Sequence, residues 1–198
     1  MNRDELARRI YETAHLTGAF RLRSGRVSNE YFDKFRFEAE PAILAEIARR
    51  LRRLIPEGTE VLAGLELGGV PITAALSIES GMPAAYVRKQ AKAYGTCRLA
   101  EGAEIRERNV CIVEDIVTTG GQILLSAAEL RAAGAQVTHV LAVVERDPAG
   151  RAALLEAGLE LHALFTMEEL AEAARAAGCP GLQASVSHLA HSSGGFSS

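Results

Sequence analysis

Two adjacent carboxylates, two hydroxyls and two glycines follow an apolar run in the string VCIVEDIVTTGGQ, which covers 110–122. Glu114 and Asp115 can accept hydrogen bonds from a vicinal diol such as that of a ribose ring. The threonine hydroxyls and glycine amides, at the start of a predicted helix, can cradle a phosphate monoester. The string therefore predicts a site for a ribose 5-phosphate. In the alternative interpretation this is a generic strand, turn and helix, in which Asp115 and Thr119 only cap the helix.

A second candidate is the basic run RKQAKAYGTCR over 88–98, which contains no acidic residue. Lysine is rare in this chain, since only Lys34, Lys89 and Lys92 are present, yet two of the three lie in this run. Ammonium groups that close over a diphosphate leaving group stabilise the charge that it gains as its bond to carbon breaks. A solvated surface loop is the alternative interpretation.

The elements that must position these residues alternate between short apolar runs and helical stretches from residue 60 onward, which predicts βαβ units in an α/β fold. The predicted strands are 60–64, 84–88, 109–114, 137–144 and 159–165. The predicted helices are 3–16, 42–54, about 70–80, 121–133, 149–157 and 167–177. Because the strands are apolar throughout, we expect a central, mainly parallel sheet flanked by helices, with ligands at the carboxyl ends of the strands.

Length predicts one domain, which we place over 1–190. The alternating pattern predicts its α/β core at 59–166, and 1–58 are expected to contribute N-terminal helices and part of a hood. Residues 191–198 are expected to form a disordered tail. The net charge of -3 argues against a globally basic protein that binds nucleic acid.

The three cysteines are few, odd in number and widely spaced, so neither a disulfide framework nor a CxxC metal or redox site is predicted. Charged residues among the first five positions argue against a secretory leader, and no run of 18 apolar residues is present. We therefore expect a cytoplasmic protein with no membrane partner.

The string at 110–122 resembles the phosphoribosyl-pyrophosphate motif of the type I phosphoribosyltransferases. Residues 17–166 resemble the orotate phosphoribosyltransferases in particular. The resemblance implies the type I phosphoribosyltransferase fold with a small N-terminal hood. It also implies conversion of orotate and 5-phospho-α-D-ribose 1-diphosphate (PRPP) to orotidine 5'-monophosphate and diphosphate, a step of pyrimidine (UMP) biosynthesis.

The resemblance also implies roles for individual residues. The acidic pair holds the ribose hydroxyls, and Thr118 through Gln122 hold the 5-phosphate. The basic run resembles the family's RKxAKxHG loop, in which Lys92 matches the main catalytic lysine, whereas Tyr94 stands where the family usually has histidine. The residues implied to bind PRPP are Arg23, Arg88, Lys89, Lys92, Glu114, Asp115, Ile116, Val117, Thr118, Thr119, Gly120, Gly121 and Gln122.

Specificity for the base is implied for Thr118 and Arg146, because Arg146 falls where the family has its orotate-binding arginine. A guanidinium is a planar, bidentate partner for the orotate carboxylate. The alternative is an exposed loop arginine paired with Glu145 or Asp147. Tyr31 and Phe32 resemble the family's aromatic pair that covers the base, and a role in the core is the alternative.

The turn GLELGGVP over 64–71 is similar to the family's short loop for the diphosphate, whose backbone amides bind it. A lysine that is common at the position of Gly68 is absent here. A plain β-to-α turn is the alternative interpretation.

The resemblance further implies Mg²⁺ as cofactor, bound mainly through substrate and water with no direct protein ligand. It implies a homodimer in which the basic loop closes over the neighbouring subunit's site. Two other functions stay open: a type I transferase for a purine or another base, which would not need Arg146, and a regulator that senses PRPP without catalysis. The regulator ranks lowest because the chain has no basic face or length for a nucleic-acid-binding domain.

Overall fold

The computed structural model describes residues 1–21, 25–89 and 99–178. The strands are β1 (His15–Arg21), β2 (Val27–Phe32), β3 (Val61–Leu65), β4 (Ala84–Val87), β5 (Ala100–Gly102), β6 (Asn109–Val117), β7 (Gln136–Glu145) and β8 (Glu160–Thr166). The helices are α1 (Arg3–Ala14), α2 (Lys34–Glu38), α3 (Pro41–Leu51), α4 (Gly69–Ser80), α5 (Gly121–Ala132), α6 (Pro148–Glu156) and α7 (Met167–Ala176), and a 3-10 turn (Arg52–Leu54) follows α3.

Six strands form one sheet in the order β5-β4-β3-β6-β7-β8, in which only the β4–β5 pair is antiparallel. This confirms the predicted α/β fold with a mainly parallel central sheet. From β3 the chain adds β4 on one side, and from β6 it adds β7 and β8 on the other side. The strand order therefore reverses between β3 and β6, where the carboxyl ends of the two strands open a crevice that α/β proteins use for ligands.

The predicted strands and helices of the core lie close to those observed, with one difference at the site. The strand predicted at 109–114 continues to Val117, because Ile116 and Val117 pair with β7. Asp115, which was predicted to follow the strand, is thus part of it together with Glu114. The helix predicted at 121–133 ends at Ala132, and Gly134 adopts a positive φ of 95° just after it.

The N-terminal segment differs more from its prediction. The helix predicted at 3–16 ends at Ala14, and His15 and Leu16 instead begin a hairpin in which β1 pairs antiparallel with β2. The strands of this hairpin are mostly exposed, so they lack the apolar run that marks the core strands. The short α2 and the three-residue β5 were not predicted either.

Helices cover both faces of the sheet. On one face, apolar residues of α1, α3, α4 and α7 pack against the strands. On the other face, α5 and α6 do so through side chains that include Ile123, Leu130 and Leu154. The one cysteine within the described residues is Cys111. It is a free thiol, buried in the core on the face that α1, α3, α4 and α7 cover. Across the described part of the chain, no helix is both long and apolar enough to span a bilayer.

Candidate active site

The crevice at the β3–β6 switch point is where the predicted site residues meet. The turn after β3 leads into α4, and the loop after β6 leads into α5, so both helix N-termini face the same edge of the sheet. Glu114 and Asp115 lie near the carboxyl end of β6. The predicted ribose-phosphate residues of 114–122 are thus brought beside the predicted diphosphate turn of 64–71.

Asp115 is the most enclosed carboxylate of the site, since its side chain is fully buried. Its Oδ2 atom lies 2.6 Å from Nζ of Lys34 in α2. The charge of Asp115 is therefore matched by an ammonium group from the N-terminal segment. Buried charges require such a partner, because removal from water without one is costly.

Two further carboxyl groups surround this ion pair. Glu38 of α2 is buried, and its desolvation together with the negative charge of Asp115 raises its pKa to about 9. Desolvation and Asp115 likewise raise the pKa of Glu114 well above its usual range. The pKa of Lys34 is also raised, because Asp115 and the other carboxylates outweigh the desolvation of the ammonium. In this cluster the Lys34 ammonium therefore stays charged, while Glu38 and Glu114 keep their protons to higher pH than ordinary carboxyl groups do.

Replacing Glu38 by glutamine tests this protonation state. Because the pKa of Glu38 is higher in the folded protein than in the unfolded chain, folding takes up a proton between pH 4.5 and 9. The stability of the parent protein should therefore fall as pH rises through this window. We expect the free energy of unfolding of Glu38→Gln to fall less steeply between pH 5 and 8, as measured by urea denaturation at a series of pH values.

Glu46→Gln is the matched control, since hydrogen bonds from Arg49 and Arg50 lower the pKa of Glu46 to about 2. Its contribution is complete above the unfolded pKa and is lost as pH falls toward 2. This substitution should therefore leave the slope between pH 5 and 8 unchanged. Equal slopes for Glu38→Gln and the parent protein would show that Glu38 is ionised in the folded state.

Because Gly68 has no side chain, the ion pair of Lys34 and Asp115 can occupy the space beside it. A Cβ atom at this position would lie 1.4 Å from Oδ2 of Asp115 and 3.0 Å from Nζ of Lys34. The ammonium of Lys34 thus lies beside the position where the resemblance implies that a lysine is missing. At Gly69 a Cβ atom would lie 2.3 Å from the carbonyl oxygen of Val113, so this turn must approach β6 through bare backbone.

The predicted phosphate cradle has the expected geometry of a helix N-terminus. Thr118, Thr119, Gly121 and Gln122 are exposed, and Gly120 caps α5 with a φ of 74° and no side-chain acceptor. The first N–H groups of α5 are therefore available to an anion. The alternative interpretation, in which Asp115 or Thr119 caps this helix, is wrong because α5 has no side-chain cap.

The turn after β3 is tied to the beginning of the basic run. The backbone N–H of Lys89 donates to Oε1 of Glu66 over 2.6 Å, and the N–H of Glu66 donates to the carbonyl of Val87. Lys89 is exposed, whereas the Nε atom of Arg88 is buried and has no hydrogen-bond partner among the described residues. The remaining predicted residues of this group, Arg23 and Lys92, and also Tyr94, lie outside the described residues.

Arg146 is held next to the phosphate loop by its backbone, since its N–H donates to the carbonyl of Val117 over 2.8 Å. Its side chain is exposed. The alternative partners are engaged elsewhere: Glu145 forms a bidentate ion pair with Arg151, and Asp147 caps α6. Within 1–21, 25–89 and 99–178, Arg146 has no ion pair of its own.

The two aromatic residues predicted to cover the base have different surroundings. Phe32 is buried against Tyr11 and Phe37, which agrees with the alternative role in the core. Tyr31 is 44% exposed and stacks on Phe20 across the hairpin, with 5.6 Å between the ring centroids. Only Tyr31 of this pair is therefore accessible to a ligand.

Comparison with known proteins shows the family to which this chain belongs. Residues 36–156 match the phosphoribosyl transferase domain. An orotate phosphoribosyltransferase from Nocardioides sp. is 50% identical over 173 residues, which are 87% of this chain and 96% of that protein. The chain belongs to the phosphoribosyltransferase family. Within that family its relatives are orotate phosphoribosyltransferases.

Solved structures of the family share the fold. The orotate phosphoribosyltransferase of Mycobacterium tuberculosis in complex with Fe(III) dicitrate is 32% identical, with a TM-score of 0.77 over 85% of this chain and 98% of that one. The same enzyme in complex with PRPP has 29% identity and a TM-score of 0.73, with the same coverage. The type I phosphoribosyltransferase fold expected from the sequence is confirmed.

The sequence had not pointed to Lys34 or Glu38 as residues of the site. Both lie on α2, where they meet Asp115 of β6. The scarcity of lysine was the one sequence feature that singled out Lys34. Nothing in the pattern around Glu38 distinguishes it from a surface residue.

Proposed function

We propose that this phosphoribosyltransferase transfers the 5-phosphoribosyl group of PRPP to orotate. The products are orotidine 5'-monophosphate and diphosphate. The observation that carries the proposal is the buried, ion-paired Asp115 at the end of β6, followed directly by the open N-terminus of α5. The identity of 50% to an orotate phosphoribosyltransferase supports orotate as the base.

In the proposed reaction, N1 of orotate attacks the anomeric carbon of PRPP while the bond from that carbon to the diphosphate oxygen breaks. The electron pair of that bond leaves with the diphosphate, and the transition state has oxocarbenium character. Glu114 and Asp115 accept hydrogen bonds from the ribose hydroxyls, and 118–122 bind the 5-phosphate. No covalent nucleophile takes part. Ile116 and Val117 contribute by continuing the strand into this loop.

The departing diphosphate gains negative charge, which the cationic side chains of the basic run stabilise. Arg88, Lys89 and Lys92 serve this role, with Lys92 as the main catalytic residue, and Arg23 contributes a further positive charge to PRPP binding. We also propose that Lys34 is a positioning residue. Its ammonium lies 2.6 Å from Oδ2 of Asp115 and holds that buried carboxylate in place as an acceptor for the ribose hydroxyls.

Mg²⁺ belongs to the same proposal. It screens the charge of the diphosphate when bound. The donor set fits an ion held through substrate oxygens and water, because Asp115 is fully buried and its Oδ2 already lies 2.6 Å from Nζ of Lys34. Glu114 and Asp115 would hold the ion only indirectly, by orienting the ribose hydroxyls of the substrate.

A homodimer with the basic loop shared across its interface is also proposed, as is a cytoplasmic location. The family resemblance of the basic loop supports the dimer, and the sparse cysteines support the location. The single domain at 1–190 and the disordered tail at 191–198 remain predictions.

Base specificity is proposed to depend on Thr118 and Arg146. The backbone of Arg146 is held beside Val117 at the carboxyl end of β6, and its side chain is exposed at this end of the sheet. We expect Arg146→Ala to lower kcat/KM for orotate by about 10²-fold, because a bidentate, charge-assisted contact is lost. Turnover of a purine, if any, should be unchanged by the same substitution, and equal losses on both bases would contradict the assignment.

The activity itself is tested by following orotate absorbance in a mixture of the purified protein, orotate, PRPP and Mg²⁺. We expect a metal-dependent loss of orotate absorbance that stops when EDTA is added. If PRPP binds but orotate is not consumed, the ribose-phosphate site stands and the base assignment is wrong. Adenine, hypoxanthine and guanine are then the next substrates, and PRPP binding with no turnover of any base would favour the regulator.

A further inference from the structure

Two histidines and a glutamate form a cluster far from the substrate crevice, on the edge strand β8 and its neighbour β7. His139 is the fourth residue of β7, and Glu160 and His162 are the first and third of β8. These positions lie toward the amino ends of the strands, whereas the active site lies at the carboxyl ends. The cluster therefore takes no part in phosphoribosyl transfer as described above.

The sheet places the three side chains on one face. His139 is in register with Glu160, and Leu141 is in register with His162, so the parallel pairing of β7 and β8 fixes their backbones. Residues two apart on a strand point to the same side. The donor atoms of the three side chains all lie within 4.8 Å of one another.

We propose that His139, Glu160 and His162 bind a divalent transition-metal ion of the Zn²⁺ type. Nδ1 of His139 and Nε2 of His162 are 3.3 Å apart. Two imidazole nitrogens on a tetrahedral Zn²⁺, each about 2.0–2.1 Å from the ion, are separated by roughly 3.3 Å. The two nitrogens are thus already at the separation that tetrahedral coordination requires.

The carboxylate of Glu160 supplies the third ligand. Its oxygens lie 3.9 Å from Nδ1 of His139 and 3.7 Å from Nε2 of His162. These distances exceed the separation between two ligand atoms of a tetrahedral Zn²⁺ by about half an ångström. The Glu160 side chain is 63% exposed, so it can make this adjustment without disturbing the core. Its exposure also leaves the fourth coordination position open to water.

The surrounding charges agree with metal binding. Both imidazoles are only partly exposed, with 31% of the His139 side chain and 28% of the His162 side chain accessible, so the rings are held by the sheet while their nitrogens face Glu160. Arg151 is occupied by the bidentate pair with Glu145. Imidazole ligands favour zinc, cobalt and nickel over magnesium, which prefers oxygen. The bound ion would cross-link the edge strand β8 to β7.

The test is a calorimetric titration of the full chain, after treatment with a chelator, with ZnCl₂ in the presence of excess Mg²⁺. We expect one equivalent to bind, and His139→Ala and His162→Ala each to raise the Kd at least tenfold. Co²⁺ should give the visible absorption of a four-coordinate ion in the parent protein and lose it in both variants. Glu160→Gln, at an exposed position, should weaken binding without affecting folding.

The control is the double substitution His188→Ala, His191→Ala, which removes two other histidines and should leave the Kd unchanged. His139→Ala should also leave kcat for orotate unchanged, which separates this site from the Mg²⁺ requirement of the reaction. The proposal is overturned if the parent protein binds no Zn²⁺. It is equally overturned if His139→Ala and Glu160→Gln bind as tightly as the parent protein does.

Discussion

Replacing Lys92 by alanine is expected to lower kcat by about 10²–10³-fold while KM for orotate changes little. The reason is that the proposed role of Lys92 is to neutralise charge that develops on the diphosphate only as its bond to carbon breaks, so the loss falls on the transition state. Steady-state kinetics at saturating PRPP measures this effect. Lys92→Arg keeps the charge with another geometry and should recover part of the rate.

The neighbouring Lys89 provides a control within the same run. Its backbone N–H is bound by Glu66 and its side chain is exposed, so Lys89→Ala should act mainly on the KM for PRPP. An unchanged kcat in Lys92→Ala would contradict the assignment of 88–98 as the catalytic loop.

The shared loop can be tested by mixing two inactive variants, Lys92→Ala and Asp115→Asn. If the loop closes over the partner's site, each mixed dimer contains one intact site, so random exchange restores about a quarter of the parent activity. No recovery after demonstrated subunit exchange would mean that each loop serves its own subunit.

Gly68→Ala is expected to lower kcat/KM for PRPP by roughly 10²-fold, although it adds only a methyl group. The added carbon would lie 1.4 Å from Oδ2 of Asp115, so the carboxylate must move and its contact with Lys34 is lost. A displaced Asp115 no longer presents both oxygens to the ribose hydroxyls. PRPP kinetics together with thermal unfolding measures the effect and separates it from loss of folding.

Gly81→Ala is the matched control for this substitution. Gly81 ends α4 with a φ of 76° and has open space around its Cβ position. Alanine there should cost about 1 kcal/mol of stability and leave the kinetics of the folded enzyme unchanged. If Gly68→Ala behaves like Gly81→Ala, the turn has a structural role only.

Lys34→Met tests the same ion pair from its other member. It removes the ammonium from beside a fully buried Asp115, which then lacks a partner for its charge and should bind ribose hydroxyls less well. We expect the KM for PRPP to rise more than kcat falls. Partial rescue by Lys34→Arg would separate positioning from packing.

The sheet could be predicted from the sequence because its strands are covered on both faces and therefore apolar from end to end. Residues 110–113 illustrate this, since hydrophobicity alone locates this part of the strand. Hydrophobicity could not show that β6 continues past Asp115, because that extension depends on pairing with β7. The hairpin of β1 and β2 was missed for the opposite reason, since most of its side chains are exposed.

The motif residues of the site were predictable because they are consecutive in the chain. Thr118 to Gln122 need only a strand, a turn and a helix to form a cradle, and each of these has a local sequence pattern. The pairing of Lys34 with Asp115 was not predictable in this way, because the two residues are brought together only by the packing of α2 on the sheet. Glu38 likewise acquires its raised pKa from tertiary burial, which no local pattern encodes.

The division of this charge cluster between two parts of the chain has a practical use. Lys34 and Glu38 come before the exposed turn at Gly58, and Glu114 and Asp115 come after it. A chain severed at Gly58 would therefore leave each fragment with half of the cluster and neither fragment with a complete one. Fusing the two fragments to a pair of interacting proteins would make orotate consumption a readout of their association, so the enzyme is suited to design as a split reporter.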